Sequence, residues 1–453
     1  MSQDLKRTLT LWDAISVVSG SMIGCGIFIV SADIARQVQS GFLLVLVWLL
    51  AGFITMCGAL SFAELAANIT EEGGQYIYLK KIYSEKIAFL YGWTTFLVIQ
   101  TGTIAAVCVA FSKFLGILVP FISAQNYIIH AGFLKLSTQQ LCALATVVSL
   151  TYINSKGIKH GVITQNLFTV TKVLSIICVI LAGLFFGFNI HTLHLNALIP
   201  ETFGAADINT VFTAVVGAVF ASITWNNITF IAGEIKNPSV NIPRALAYGT
   251  GLVILLYLLI NTIYLGVLPL DSIQNAPEDI VGAQLMSHIF GVVGKDIMAL
   301  IIMISAFGCA NGMILAGSRV YYKMAKDRAF FRPLAVINRK TKVPVNSLWA
   351  QCGWISLLIL WGNYTQLLDF VIYASLIFYL ITTAGLFIYR KKAGSKDFKF
   401  KINNFFPVAF VICAGYVIIC LTVFKPVYTL PGLLITLAGI PVFHFWKRKN
   451  SKV

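Results

Sequence analysis

The sequence predicts an all-α membrane protein with twelve transmembrane helices, and three observations carry that prediction. Of 453 residues, 58% are hydrophobic and only 11% charged, whereas soluble domains carry about a quarter charged residues. The mean hydropathy is +0.84. Apolar residues come in runs near the roughly 20 needed to cross a bilayer core, and such runs recur along the whole chain.

The expected spans are 11–33, 41–66, 87–112, 138–154, 162–188, 209–233, 244–268, 294–320, 346–361, 367–389, 406–424 and 428–446. The fourth and ninth are the shortest. Ser2 to Arg7 is a short polar lead without a small-residue cleavage site after it, so the first span reads as a membrane helix rather than a signal peptide. The segments between spans are short, and the chain reads as one transmembrane domain over 1–453.

The net charge of +16 raises nucleic acid as a partner, but its distribution argues for membrane lipid instead. With the N-terminus cytoplasmic, the outer loops hold only Arg36, Lys113, Lys135, Lys295 and Lys425, and Lys172 lies within a span. The remaining cations face the cytoplasm, with eight between Arg319 and Lys342 and six between Arg390 and Lys401. This asymmetry follows the positive-inside rule and suits anionic inner-leaflet lipid. Both termini are then cytoplasmic and the protein is expected in the plasma (inner) membrane.

All nine cysteines (Cys25, Cys57, Cys108, Cys142, Cys178, Cys309, Cys352, Cys413, Cys420) fall inside expected spans. No disulfide-linked partner subunit is expected, because none of these thiols sits in an outer loop. His191 and His194 have helical i,i+3 spacing, yet no cysteine or acid lies close by in the sequence. Neither a metal nor another cofactor is expected.

Two spans are interrupted. The first contains Gly20-Ser21-Met22-Ile23-Gly24-Cys25-Gly26, and the sixth contains Ser222-Ile223-Thr224-Trp225-Asn226-Asn227. Interrupted helices at matching places in two halves point to a midplane binding site. A unit of five spans is odd, so a second copy enters the membrane inverted. The halves are about 11–188 and 209–389, with two extra helices over 406–446. Unwound backbone is tolerated in hydrocarbon only around water or ligand. Freed N–H groups favour a carboxylate and freed carbonyls favour an ammonium, which together match a zwitterionic α-amino acid. By itself, Gly20-x-x-x-Gly24 fits close helix packing equally well.

The motifs resemble the amino acid–polyamine–organocation (APC) superfamily across nearly the full chain. Gly20-Ser21-Met22-Ile23-Gly24-Cys25-Gly26-Ile27-Phe28 is similar to its G-x-x-x-G-S-G-I-F signature. Phe62-Ala63-Glu64-Leu65 and Gly73-Gly74-Gln75-Tyr76-Ile77-Tyr78 follow. Gly233-Glu234-Ile235-Lys236-Asn237-Pro238 with Ile242-Pro243 is similar to G-E-x-x-N-P…I-P. Gly317-Ser318-Arg319-Val320-Tyr321 and Met324-Ala325-Lys326-Asp327 close the series. Four fragments in this order and spacing form a specific signature.

The resemblance implies a LeuT-like five-plus-five inverted repeat with two additional C-terminal helices, moving amino acids by alternating access. Met22, Ile23, Gly24, Cys25 and Gly26 from the first span, and Phe220, Ala221, Ser222, Ile223 and Thr224 from the sixth, would surround the substrate. Phe220 matches an aromatic gate position. Cys25 stands where the family usually has Ser or Ala, and its thiol is a weak hydrogen-bonding group. Large-neutral-amino-acid carriers have glycines near Ile223 and Thr224, and arginine/agmatine antiporters a glutamate where Asn226 stands. Substrate size and proton coupling stay open on these departures.

Lys172 is a cation deep in a span, costly by roughly 2.5–3.5 kcal/mol on insertion scales, so a functional role is the default. By resemblance its ammonium replaces a bound cation, which implies sodium independence. The expectation is neutral amino-acid exchange or proton-linked uptake. A cationic amino-acid or polyamine antiporter and a transporter-like sensor are the alternatives. A membrane enzyme is disfavoured, since no histidine lies within a span before His444 and no catalytic cluster is visible. Glu64 and Glu234, near cytoplasmic helix ends, fit solvated and gate-forming roles equally.

Overall fold

The computed structural model describes residues 7–131, 134–188, 204–361, 364–394, 398–424 and 426–450. The first half of the chain forms α1 (Leu11–Met22), α2 (Gly26–Val38), α3 (Gly41–Asn68), α4 (Gln75–Ile82), α5 (Glu85–Thr94), α6 (Gln100–Leu118), α7 (Thr138–Ser155) and α8 (Ile158–Phe186). The second half forms α9 (Ala205–Phe220), α10 (Asn227–Phe230), α11 (Pro238–Val267), α12 (Leu270–Gln274), α13 (Val281–Lys326), α14 (Val345–Trp361) and α15 (Tyr364–Ala393). Two further helices, α16 (Phe405–Phe424) and α17 (Pro426–Asn450), follow. The strands among the described residues form one antiparallel hairpin, β1 (Tyr127–Ala131) against β2 (Leu134–Ser137).

Seven helical segments among the described residues are long and apolar enough to cross a membrane, or nine if each of two bent pairs counts as one crossing. The bent pairs are α1 with α2, at 42°, and α9 with the turn and helix over Ile223–Phe230, at 49°. Each span expected from the sequence falls on one of the helices or bent pairs, including α7, α14 and α17, which lie outside those nine. The bends occur at the glycine cluster and the polar patch that the sequence singles out.

Local chemistry explains the helix ends. Thr10 caps α1 reciprocally with Asp13, the threonine side chain taking the Asp13 amide and the Asp13 carboxylate taking the Thr10 amide. Pro238 opens α11 in its first turn, where its missing N–H costs nothing. The helix α4 lies where the sequence reading has only a loop. Gly73 (φ +99°) and Gly74 (φ +47°) turn the chain sharply there, and Tyr76 and Tyr78 are then buried. Eight residues with weak apolar periodicity are too short to announce such a helix.

Burial separates a centre from a periphery. In the most apolar stretch of α13, and likewise of the α5–α6 rod, 72% of residues are buried, against 28% in α8. The outer face of α8 presents Ile163, Leu167, Leu174 and Phe185. Apolar faces of that extent are stable only in lipid. The chain is a helical integral membrane protein, and its interrupted helices lie in the buried centre.

Candidate functional site: two facing helix breaks

Residues Ile23 to Cys25 separate α1 from α2, with Ile23 extended (ψ 97°). A helix that stops inside a bundle leaves its last carbonyls without intrahelical donors. Side chains from four other elements supply them. The Lys172 ammonium, on α8, donates to Gly20 O and, at 2.7 Å, to Ile23 O. Ser305, on α13, lies 3.2 Å from both Ile23 O and Gly24 O. Cys309, one turn further along α13, donates to Ser21 O at 2.9 Å. Thr224 Oγ1 reaches the same oxygen at 2.7 Å, and Tyr257 OH lies 3.1 Å from Met22 O. Lys172 is fully buried, and its charge sits at the negative end of the α1 dipole, where a cation is favoured.

The second break follows α9. Ala221 and Ser222 lead into a single 3-10 turn, Ile223–Asn226, and then the short α10. Tyr379 OH donates to Ile223 O at 2.7 Å and lies 2.8 Å from Asn226 Oδ1. Tyr257 OH is also 3.1 Å from Ala221 O. One phenolic proton thus serves two carbonyls, one from each break.

The breaks touch directly. A Cβ on Gly26 would lie 3.0 Å from Ala221 Cβ and 3.1 Å from its Cα, so glycine permits the approach. A Cβ on Gly24 would stand 3.3 Å from Cys309 Sγ. The first amides of α2, at Gly26 and Ile27, have no preceding turn to bond to.

Of the ten residues expected around a substrate, Ile223 and Thr224 line a cavity beside the second break. Met22, Ile23, Gly24, Cys25, Gly26, Phe220, Ala221 and Ser222 lie at the two breaks themselves, with Cys25, Gly26 and Phe220 half-buried and the others buried. Lys172 lies beneath the first break, as described. Tyr257, Ser305, Cys309, Gln100, Asn227 and Tyr379 complete the surroundings, and the sequence reading does not single out these roles. Their available signal is a polar group inside an apolar run, shared with many residues that only pack.

Toward the end that carries the basic clusters, Glu234 forms a two-pronged ion pair with Arg319, both contacts at 3.0 Å and both side chains 1% exposed. The Glu234 carbonyl accepts the amides of Thr8 and Leu9 at 2.9 and 3.0 Å, tying down the segment before α1. Glu64 is likewise buried and paired with Arg390 at 2.6 Å. These carboxylates are therefore not solvated. No group of three or more His, Cys, Asp or Glu able to hold a metal occurs among the described residues; His191 and His194 lie outside them.

Two interrupted helices meeting in a bundle core define a membrane transporter of the broken-helix class. The chain belongs to the amino acid permease family, whose sequence profile matches residues 9–441. Among its relatives, the large neutral amino acids transporter small subunit 2 of Homo sapiens is 28% identical, over 98% of this chain and 82% of that protein. The serine/threonine exchanger SteT of Bacillus subtilis (strain 168) is 28% identical over 99% of this chain and 98% of its own. The Asc-type amino acid transporter 1 of Mus musculus is 26% identical, over 99% and 83%.

Proposed function

We propose that this protein exchanges small and medium neutral amino acids across the plasma (inner) membrane, without sodium, by alternating access. The observation that carries the reading is the pair of facing breaks. The α2 N-terminus suits an α-carboxylate. Its relatives are named as transporters or exchangers of neutral amino acids, among them serine and threonine. No Asp or Glu occurs from Met22 to Gly26 or from Phe220 to Asn227. A guanidinium or second ammonium bound there would lack a partner, at a cost of several kcal/mol.

Sodium independence rests on Lys172, whose ammonium bridges the Gly20 and Ile23 carbonyls in the manner of a bound cation. The architecture consistent with this mechanism is twelve spans, built as a five-plus-five inverted repeat with α16 and α17 appended. Both termini would be cytoplasmic, as the basic clusters favour. The positions of the nine cysteines within helices or at the first break favour a chain that works without a disulfide-linked subunit.

The test is counterflow with the purified chain in liposomes preloaded with unlabelled L-alanine. Labelled neutral amino acids should accumulate, and replacing sodium by choline should leave the initial rate unchanged. Electrodiffusive current would indicate a channel, and the absence of both signals a sensor. Stronger inhibition by arginine or agmatine than by alanine, serine or leucine would contradict the neutral substrate class.

A further inference from the structure

At the end of the bundle that carries the basic clusters, a second cavity opens between α4, α5, the turn after α13, and α17. About 140 Å³ of it is open to the centres of water-sized groups. One water needs roughly 10–15 Å³ so measured, so the space holds roughly ten such groups. That is the size of a phosphate with a short polar substituent.

Part of the wall is aromatic, and it fixes the depth of the cavity in the membrane. Phe89 of α5 and Phe443 of α17 pack with ring centres 5.4 Å apart, and both line the cavity together with Trp446. Trp446 stacks on Phe330 at 6.3 Å and meets Phe331 edge-on at 4.9 Å. On α17, Phe445 is 67% exposed, and the exposed cations Lys447 and Arg448 follow within one turn. Phe331, against Trp446, is a second outward aromatic. An outward apolar face that gives way to cations, with tryptophan at the change, marks the level where hydrocarbon meets head groups. The cavity lies at that level.

Charge selects the kind of head group. Three cations line the cavity, Lys80, Arg328 and Lys447, against two carboxylates, Glu85 and Asp327. Asp327 is matched by Lys80 at 2.8 Å and by Lys323 at 3.7 Å, and Tyr76 OH lies 3.4 Å from it. Glu85 lies 3.7 Å from Lys80. Lys447 meets no carboxylate among the described residues, and its ammonium lies 5.9 Å over the Phe443 ring. The excess charge is thus positive and sits on the helix that sets the depth, which favours an anion there.

We propose that this cavity binds the phosphate of an anionic phospholipid, with the Lys447 ammonium as its donor and Trp446 and Phe443 against its glycerol. A lipid held there fastens α17 to α5 and to the end of α13, so occupancy stabilises the bundle by mass action. The proposal does not depend on which amino acid the chain carries.

The experiment follows the melting temperature of the full-length protein in detergent micelles during titration with dioleoylphosphatidylglycerol or dioleoylphosphatidylcholine. Phosphatidylglycerol should raise it with a saturable midpoint, and phosphatidylcholine should not. Lys447→Glu should move that midpoint up by about tenfold or more. Lys340→Glu makes the same charge change at an exposed residue outside the cavity and should leave the midpoint unchanged. Ala329→Phe fills the cavity from its own wall without changing charge and should also weaken the response. Equal responses of the wild type to the two lipids overturn the proposal, and that comparison needs no variant. Equal losses in Lys447→Glu and Lys340→Glu overturn it in favour of diffuse attraction to the surface. A full response in Ala329→Phe removes the cavity from the binding. Stabilisation of the wild type by sn-glycerol 3-phosphate or inorganic phosphate, matching that by the lipid, would make the ligand a soluble phosphate and overturn the assignment to lipid.

Discussion

Replacing Lys172 by alanine removes the ammonium that joins Gly20 O and Ile23 O beneath the first break. Each hydrogen bond from a charged donor contributes about 1.5–3 kcal/mol. Ile23 O keeps Ser305 Oγ at 3.2 Å, whereas the Lys172 ammonium is the side-chain donor that Gly20 O loses. A bare buried carbonyl costs about 1–3 kcal/mol. Removing the ammonium also relieves its desolvation, which offsets several kcal/mol of the loss. A net destabilisation of about 1–3 kcal/mol is therefore expected, with a lower melting temperature in detergent. If the junction must re-form once per cycle, a loss of this size slows exchange by about tenfold, since each 1.4 kcal/mol of barrier is a factor of ten. Lys172→Met keeps the stem and loses only the donors, so it separates hydrogen bonding from volume and should slow exchange similarly. Initial counterflow rates in liposomes, with sodium and with choline, provide the assay. Wild-type turnover and melting temperature in both variants would refute the argument, as would steep sodium dependence in the parent protein.

Gly26→Val should abolish uptake while leaving a monodisperse protein, because the first added carbon already lies 3.0 Å from Ala221 Cβ; near-normal uptake would remove this junction from the transport path. Glu234→Gln should destabilise the protein by about 3–5 kcal/mol, because it leaves the Arg319 charge buried and unpaired. Adding Arg319→Met should restore part of the melting temperature in a thermal scan, and a double variant no more stable than the single would count against the pair. Ile223→Gly should widen the substrate range toward larger neutral side chains, measured by competition with leucine and tryptophan, since the residue forms part of the cavity wall. An unchanged inhibition profile would mean that this wall does not set substrate size.

The glycine cluster at Gly20 to Gly26 and the polar patch at Ser222 to Asn227 mark both breaks before any coordinates, because a bilayer forbids unwound backbone without a reason. Lys172 stands out on the same ground. The spans are equally legible, since the hydrocarbon thickness sets their length whatever they pack against. These features depend on local composition within a uniform apolar solvent, so the sequence by itself determined them. What caps the freed carbonyls is different in kind. Tyr257 meets Met22 O from 235 positions away, Cys309 meets Ser21 O from 288 positions away, and Tyr379 meets Ile223 O from 156 positions away. A lone tyrosine or cysteine in an apolar run reads the same whether it packs or caps. That Glu64 and Glu234 are buried against Arg390 and Arg319, and not solvated, is likewise decided by distant parts of the chain. Asn227 is a further case, because its amide oxygen is directed at Gln100, whose own nitrogen is held by Met313 O. Hydrogen-bond satisfaction is a property of where distant helices meet, and only the tertiary structure decides it.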